Sequence, residues 1–218
     1  ESMELPKLKV CGITRHEDGE AALSIGSSYL GFILYEGSPR FIKPANASSL
    51  WGELMQVGAY SVAVEVDPST DRLKEIRQIG FDFFQLHFPC SSSPEKVSAW
   101  AEIVGPEKLW LAPRISPKDN FPSSLLPFSE TFLVDAFSES KFGGTGLTSD
   151  WERFSEWKGS YPSKKWVLAG GLGPENLGSV LECAKPDVVD VNSSVEIEPG
   201  NKDHFKLKEL LPFFKSTD

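Results

Sequence analysis

The chain has 218 residues and a net charge of −9, with 40% hydrophobic and 24% charged residues. That composition is ordinary for a soluble globular protein with one sizeable core. It has no Lys/Arg block and no apolar run near the ~20 residues that cross a bilayer, so neither nucleic acid nor a membrane is an expected partner. The first residues lack the basic-apolar-small order of a secretory signal; Glu1-Ser2, ahead of Met3, are set aside. Cys11, Cys90 and Cys183 are odd in number and widely spaced. They suggest neither a disulfide framework nor a zinc site, and the expected compartment is the reducing cytoplasm. A negatively charged chain repels an anionic substrate at long range, so capture of one has to be local, through backbone N–H groups and a few placed cations.

Short β-rich runs alternate with helix-like segments about eight times. In chain order the expected strands are Leu8–Cys11, Tyr29–Leu34, Ser61–Val66, Phe83–His87, Leu109–Pro113, Phe132–Asp135, Trp166–Ala169 and Val188–Val191. Between them, apolar residues recur at helical spacing in Arg72–Ile79, Pro94–Val104, Pro174–Ala184 and Phe205–Phe214. The prolines of Pro117–Phe128 predict a short or irregular helix there, and Tyr35–Pro44 reads as a loop. Strand-helix alternation argues for parallel strands joined by right-handed crossovers. Eight near-equal units of about 27 residues favour a single (β/α)₈ barrel domain spanning 1–218 over a doubly wound open sheet.

In such a barrel the active site forms at the C-terminal ends of the strands. The polar groups expected there are Cys11-Gly12, the run Glu36-Gly37-Ser38-Pro39-Arg40, Gln85-Leu86-His87, Asp135, Gly170-Gly171, and Asp190-Val191-Asn192-Ser193-Ser194. Three glycine- or serine-rich segments look like anion cradles. Gly143-Gly144-Thr145-Gly146 precedes a helix starting at Thr148 to Asp150. Gly170-Gly171 precedes Gly173-Pro174, where proline suits a helix's first turn, and Ser193-Ser194 follows the last strand. Glycines let a backbone approach a phosphate, and a helix N-terminus points N–H groups at it. Any one such pair is more often a plain turn. Three on consecutive strand ends match the place where these barrels frequently hold a phosphate.

Several segments in order, Lys9-Val10-Cys11-Gly12-Ile13-Thr14, Gly31-Phe32 through Ser38-Pro39-Arg40, Gln85-Leu86-His87, Val134-Asp135, Gly143-Gly144-Thr145-Gly146, Ala169-Gly170-Gly171-Leu172, Val189-Asp190-Val191 with Val195-Glu196, and Pro199-Gly200, resemble those of phosphoribosylanthranilate isomerase. The resemblance covers nearly the whole chain. It implies an Amadori rearrangement in tryptophan biosynthesis, with a phosphorylated small molecule as substrate. No His/carboxylate triad stands at ligand spacing and no Gly-x-Gly-x-x-Gly opens a helix, so no metal or redox cofactor is expected, and the chain is expected as a monomer or homodimer. The resemblance also implies that Asp135 is the general acid on the furanose oxygen and Cys11 the base at sugar C2. Arg40 would bind the anthranilate carboxylate, and Gly144, Thr145, Gly146, Gly170, Gly171, Ser193 and Ser194 the phosphate.

The residues themselves are compatible with these roles. Lys9 lies two positions before Cys11 and shares its face, so its ammonium is expected to lower the thiol pKa. Asp190 on the adjoining strand is expected to pair with Lys9. Gln85 and His87 share a face and are read as orienting the substrate or Asp135, with His87 equally readable as a satisfied wall residue. Alone, Cys11 is a small buried hydrophobe and Arg40 a solvated loop arginine; the surrounding motifs favour function. His16 and His204 read as surface, and most Trp and Phe as core. Phe88-Pro89, Asn192 and Ser194 depart from the family pattern, and Ser194 is expected to narrow backbone access to the phosphate. Lysine and glutamate catalysts would mark indole-3-glycerol-phosphate synthase, and paired aspartates the aldose-ketose isomerase of histidine synthesis. Loss of Cys11, Asp135 or Arg40 would mark a non-catalytic anion-binding barrel.

Overall fold

The structure is a computed structural model that describes residues 4–136 and 147–214. Eight parallel strands pair in chain order: β1 (Lys7–Val10), β2 (Tyr29–Ile33), β3 (Tyr60–Val66), β4 (Phe83–Pro89), β5 (Leu109–Arg114), β6 (Thr131–Asp135), β7 (Lys165–Ala169) and β8 (Val188–Val191). Strand β8 returns to β1 and closes the barrel, which confirms the (β/α)₈ architecture expected from the alternation. The helices are α1 (His16–Ser24), α2 (Pro44–Leu54), α3 (Thr70–Ile79), α4 (Pro94–Val104), α5 (Leu147–Ser160), α6 (Leu177–Cys183), α7 (His204–Lys208) and α8 (Leu211–Phe214). After β8 come a 3₁₀ turn at Ser193–Val195 and a two-stranded ribbon, β9 (Glu196–Glu198) with β10 (Asn201–Lys202).

Local chemistry accounts for most boundaries. Helices α3 and α4 start where Ser69 and Ser93 accept the Arg72 and Lys96 N–H groups on their hydroxyls. Pro122 and Pro127 hold Ser123–Phe128 to a 3₁₀ turn, the irregularity expected there. Two helix expectations need correction. Pro174–Ala184 is regular only over α6, because the Asn176 side chain accepts from the Gly173 N–H at 2.9 Å and donates to the Gly171 carbonyl at 2.9 Å. This Asx-type turn takes up the backbone that a helix would have used. Phe205–Phe214 is split into α7 and α8, since Pro212 has no N–H to continue the ladder.

Period-two alternation divides the strands into two layers. Outward residues such as Leu8, Val10, Phe132, Val134 and Leu168 pack against the helices, while Tyr29, Val62, Val64, Trp110, Leu133, Val167 and Cys11 fill the barrel. The N-terminal end is plugged by Tyr29, Tyr60, Phe83 and Trp110, with contacting ring centroids 5.0–6.0 Å apart. Polar groups on the inner face therefore collect toward the opposite mouth. Among the described residues, no helix is long and apolar enough to cross a membrane.

Candidate active site

The barrel mouth holds a cavity of about 220 Å³ lined by Cys11, Gln85, His87, Asp135, Gly170, Gly171, Asp190, Asn192 and Ser193 together with apolar wall residues. The expected strand-end groups thus converge, although they come from five different strands, β1, β4, β6, β7 and β8. Asp135 ends β6 on the same face as inward-pointing Leu133, and Cys11 immediately follows β1. A larger trough of about 540 Å³, on the α2 flank by Phe41, Lys43 and Asn46, is open to the surface and gathers none of these groups.

Lys9 is fully buried and donates to Asp190 Oδ2 at 2.8 Å, across the β1–β8 register in which the two residues are partners. Burial works against the Lys9 charge, but Asp190 and, after it, Cys11 together override it and hold Lys9 above its ordinary pKa. Burial also pushes Asp190 up against the pull of Lys9. The 2.8 Å contact makes this an ion pair with Lys9 protonated. The expectation that Lys9 lowers the thiol pKa below its ordinary value is corrected here. Burial pushes the Cys11 thiol up; Lys9 opposes that rise without overcoming it, partly because Asp190 adds to it.

Gln85 Nε2 lies 2.9 Å from His87 Nε2, so these two residues bond each other. Burial, with Lys9 and Arg114 adding to it, lowers His87 to about 4, and its ring is neutral at physiological pH. Gln85 Oε1 and Asp190 Oδ1 are buried acceptors without a hydrogen-bond partner among the described residues. An unpaired acceptor in a polar cavity is a place for a ligand's hydroxyl or N–H.

Gly170 and Gly171 both have positive φ, +103° and +66°, a conformation that side chains other than glycine resist. They turn the chain at the mouth beside Ser193. Ser194 packs into space left by Gly173, where a Cβ would stand 2.7 Å from the Ser194 Cβ. The serine is therefore accommodated against the neighbouring loop. Helix α6 begins at Leu177, and the turn that leads into it is wound from Gly173, whose carbonyl accepts from the Asn176 and Leu177 N–H groups at 3.2 and 3.1 Å. Gly144, Thr145 and Gly146 lie outside the described residues.

Arg40 is not among the residues that line the cavity; its stem lies against Gly12 beside Asn192, with its guanidinium on Glu196. Nε donates to Oε1 at 2.9 Å and to Oε2 at 3.1 Å, and Nη2 donates to Oε1 at 2.6 Å. Arg40 is therefore not the solvated loop arginine it would be alone: one edge of its guanidinium is occupied by Glu196.

The family model for N-(5'-phosphoribosyl)anthranilate (PRA) isomerase matches residues 8–212. The chain belongs to this family. It is 35% identical over 207 residues to the PRA isomerase of Gloeothece citriformis, covering 94% of this chain and 91% of that one. Among solved structures it is similar to the Thermotoga maritima enzyme, with TM-score 0.77, 29% identity and coverage of 95% and 97% of the two chains. It is also similar to a PRA isomerase in complex with reduced 1-(o-carboxyphenylamino)-1-deoxyribulose 5-phosphate, with TM-score 0.76, 27% identity and coverage of 96% and 98%.

For this PRA isomerase family member, sequence reasoning missed a set of groups behind Arg40. Glu196 is nearly buried and Lys202 fully buried, and they are cross-strand partners in the β9–β10 ribbon. Lys202 Nζ donates to Glu196 Oε2 at 3.1 Å and to Asn192 Oδ1 at 2.9 Å. Asp18, fully buried on α1, accepts from the Lys202 backbone at 3.0 Å and lies 2.7 Å from His204 Nε2. His204, read as surface, is about two-fifths exposed and paired. A usable signal was present: opposite charges flanking a Pro-Gly turn at cross-strand spacing.

Proposed function

We infer that the chain rearranges N-(5'-phosphoribosyl)anthranilate to 1-(2-carboxyphenylamino)-1-deoxyribulose 5-phosphate, the isomerisation step of tryptophan biosynthesis. It does so as a cytoplasmic monomer or homodimer of one barrel domain, without metal or cofactor. The observation that carries this reading is the convergence of Cys11 and Asp135 on one cavity lined also by Gly170, Gly171 and Ser193, with Arg40 standing beside its lining residue Asn192 at Gly12. Asp135, as a carboxylic acid, gives its proton to the furanose ring oxygen as the C1–O bond breaks and the nitrogen lone pair forms C=N. The Cys11 thiolate then removes the proton from C2; the electrons of that C–H bond form C1=C2 and return the C=N pair to nitrogen. The resulting enolamine tautomerises to the ketone. Lys9 stabilises the thiolate, and Gln85, His87 and Asp190 present polar atoms to the sugar. The test is loss of anthranilate fluorescence when purified chain is added to freshly generated substrate. No loss above the uncatalysed rate overturns the reading.

The phosphate is assigned to the backbone N–H groups of Gly170–Gly171 and Ser193–Ser194; Gly170, Gly171 and Ser193 line the cavity on adjacent strand ends, and Ser194 follows against Gly173. A crystal structure with a phosphorylated product analogue is expected to place the phosphate there. A phosphate elsewhere in the mouth refutes the assignment.

Arg40 is assigned to the anthranilate carboxylate. Replacing it with lysine keeps the charge but loses the planar fork, so kcat/KM is expected to fall about 10- to 100-fold, the worth of a charge-assisted bond of roughly 1.5–3 kcal/mol. Phosphate affinity should hardly move. Steady-state kinetics of Arg40→Lys indistinguishable from wild type remove Arg40 from the site.

A further inference from the structure

We propose that Glu196, itself held by Lys202, is a positioning residue that aims Arg40 so that its free edge receives the carboxylate of the substrate's aromatic ring. This rests on the reading above and goes beyond it, by assigning the selection of carboxylated substrates to a charge cluster behind the arginine.

The cluster is built around one crowded point. Gly12, next to Cys11, has φ +78°, and a Cβ there would lie 2.9 Å from Arg40 Cδ and 2.8 Å from Asn192 Oδ1. The Arg40 stem and the Asn192 amide therefore both lie against the backbone that follows β1. Glu196, with 3% of its side chain exposed, takes the Nε–Nη2 edge of the guanidinium. Its Oε2 also accepts from the Gly200 N–H at 2.9 Å and from Lys202 at 3.1 Å. The ribbon that carries it is tied to the rest of the mouth, because Thr14 donates to the Gly200 carbonyl at 2.6 Å and the Lys202 N–H donates to Asp18. A carboxylate fixed from this many directions defines the plane of whatever guanidinium it binds.

Two properties of the cluster point to an anion. Arg40 and Lys202 share a single carboxylate, so the three groups carry one unit of positive charge not neutralised among themselves. An enclosed excess charge of this kind favours an anionic partner. In addition, Nη1 of Arg40 bonds to none of the described residues, and the Nη1–Nη2 edge of a guanidinium matches the two oxygens of a carboxylate. Burial pushes Glu196 up, yet Arg40 and Lys202 hold its carboxyl below its ordinary value, so it stays charged in this role. Lys202 bonds Glu196 and Asn192, and its charge also reaches Cys11 and lowers the thiol, so its influence is not confined to Arg40.

The test is a double-mutant cycle on the full chain, measuring kcat and KM for wild type, Glu196→Gln, Arg40→Ala and the double variant. Glu196→Gln is expected to raise KM about tenfold, with kcat within about threefold, because ground-state capture is lost and the reacting groups are untouched. In the Arg40→Ala background the same change is expected to alter KM less than about twofold, since Glu196 then has nothing to aim. If Glu196→Gln melts below the assay temperature, Glu196→Asp, which draws the carboxylate back while keeping its charge, is used in the same cycle with the same expected non-additivity. Effects that persist in the Arg40→Ala background overturn the proposal in favour of a purely structural ribbon. A lowered KM overturns it in favour of a self-inhibitory contact, and an unchanged KM removes any role. A wild-type chain without isomerase activity fails the functional reading instead, and is recognised before the cycle begins.

Discussion

Cys11→Ser and Asp135→Asn are each expected to reduce turnover by about 10²- to 10⁴-fold while leaving the melting temperature within a few degrees of wild type. That range is what a positioned general acid or base contributes. Serine nearly matches cysteine in shape, and Cys11 occupies a small buried site just past the C-terminal end of β1, so the barrel should tolerate the change. A hydroxyl is a far weaker acid than a thiol, however, and at neutral pH supplies almost no anion to take the C2 proton. Asparagine keeps the size of Asp135 at the cavity edge but has no transferable proton for the ring oxygen. The paired measurement is steady-state turnover with thermal melting on the same preparations. A Cys11→Ser enzyme with near wild-type turnover would falsify the thiolate-base assignment, whatever the fate of the aspartate.

Lys9→Met should damage both stability and catalysis, for separable reasons. Removing the ammonium leaves Asp190 buried at 6% exposure without its cation, a class of change that costs about 3–5 kcal/mol. Asp190 is already pushed up by burial, and losing Lys9 pushes it further. A carboxyl whose folded pKa lies above its unfolded value of about 3.9 favours folding most at low pH, and that contribution fades as pH rises through the folded value. The variant should therefore lose more stability relative to wild type at pH 8 than at pH 5. Catalysis should also suffer at neutral pH. Lys9 is the largest influence lowering the Cys11 pKa, exceeding the opposing effect of Asp190, so its loss moves the thiol upward. The acidic limb of the kcat/KM profile should then shift to higher pH, with partial recovery in alkaline buffer. Replacing both partners, Lys9→Met with Asp190→Leu, should restore much of the melting temperature because no buried charge is orphaned. It should not restore the pH profile. An unshifted acidic limb in Lys9→Met, with intact folding, would remove Lys9 from the thiolate's environment.

Much of this molecule was legible along the chain. Period-two alternation put Lys9 and Cys11 on one face, and Leu133 with Asp135 on another strand's inward face, because successive side chains in a strand point to opposite sides whatever surrounds them. Val188–Val191 and Pro94–Val104 have the expected boundaries, the second because Ser93 and Pro94 mark a helix start by local bonding alone. The glycine pair after β7 announced a tight turn through its conformational freedom. These are short-range effects, and a local reading captures them.

What the chain order concealed depends on distance across the fold. Arg40 and Glu196 are 156 residues apart, and no local pattern says that a loop arginine will find its first partner on a ribbon beyond the last strand. The Pro-Gly turn hints that Lys202 pairs with Glu196, but nothing along the chain shows that its ammonium has no exposed surface. The thiol of Cys11 was misjudged for the same reason. Spacing revealed the neighbouring Lys9, but not the depth at which both are buried or the carboxylate that shares the lysine's charge. Spacing along a strand sets which groups are neighbours, whereas the desolvation and pairing that set their pKa values arise only when β1 and β8 close the barrel around them.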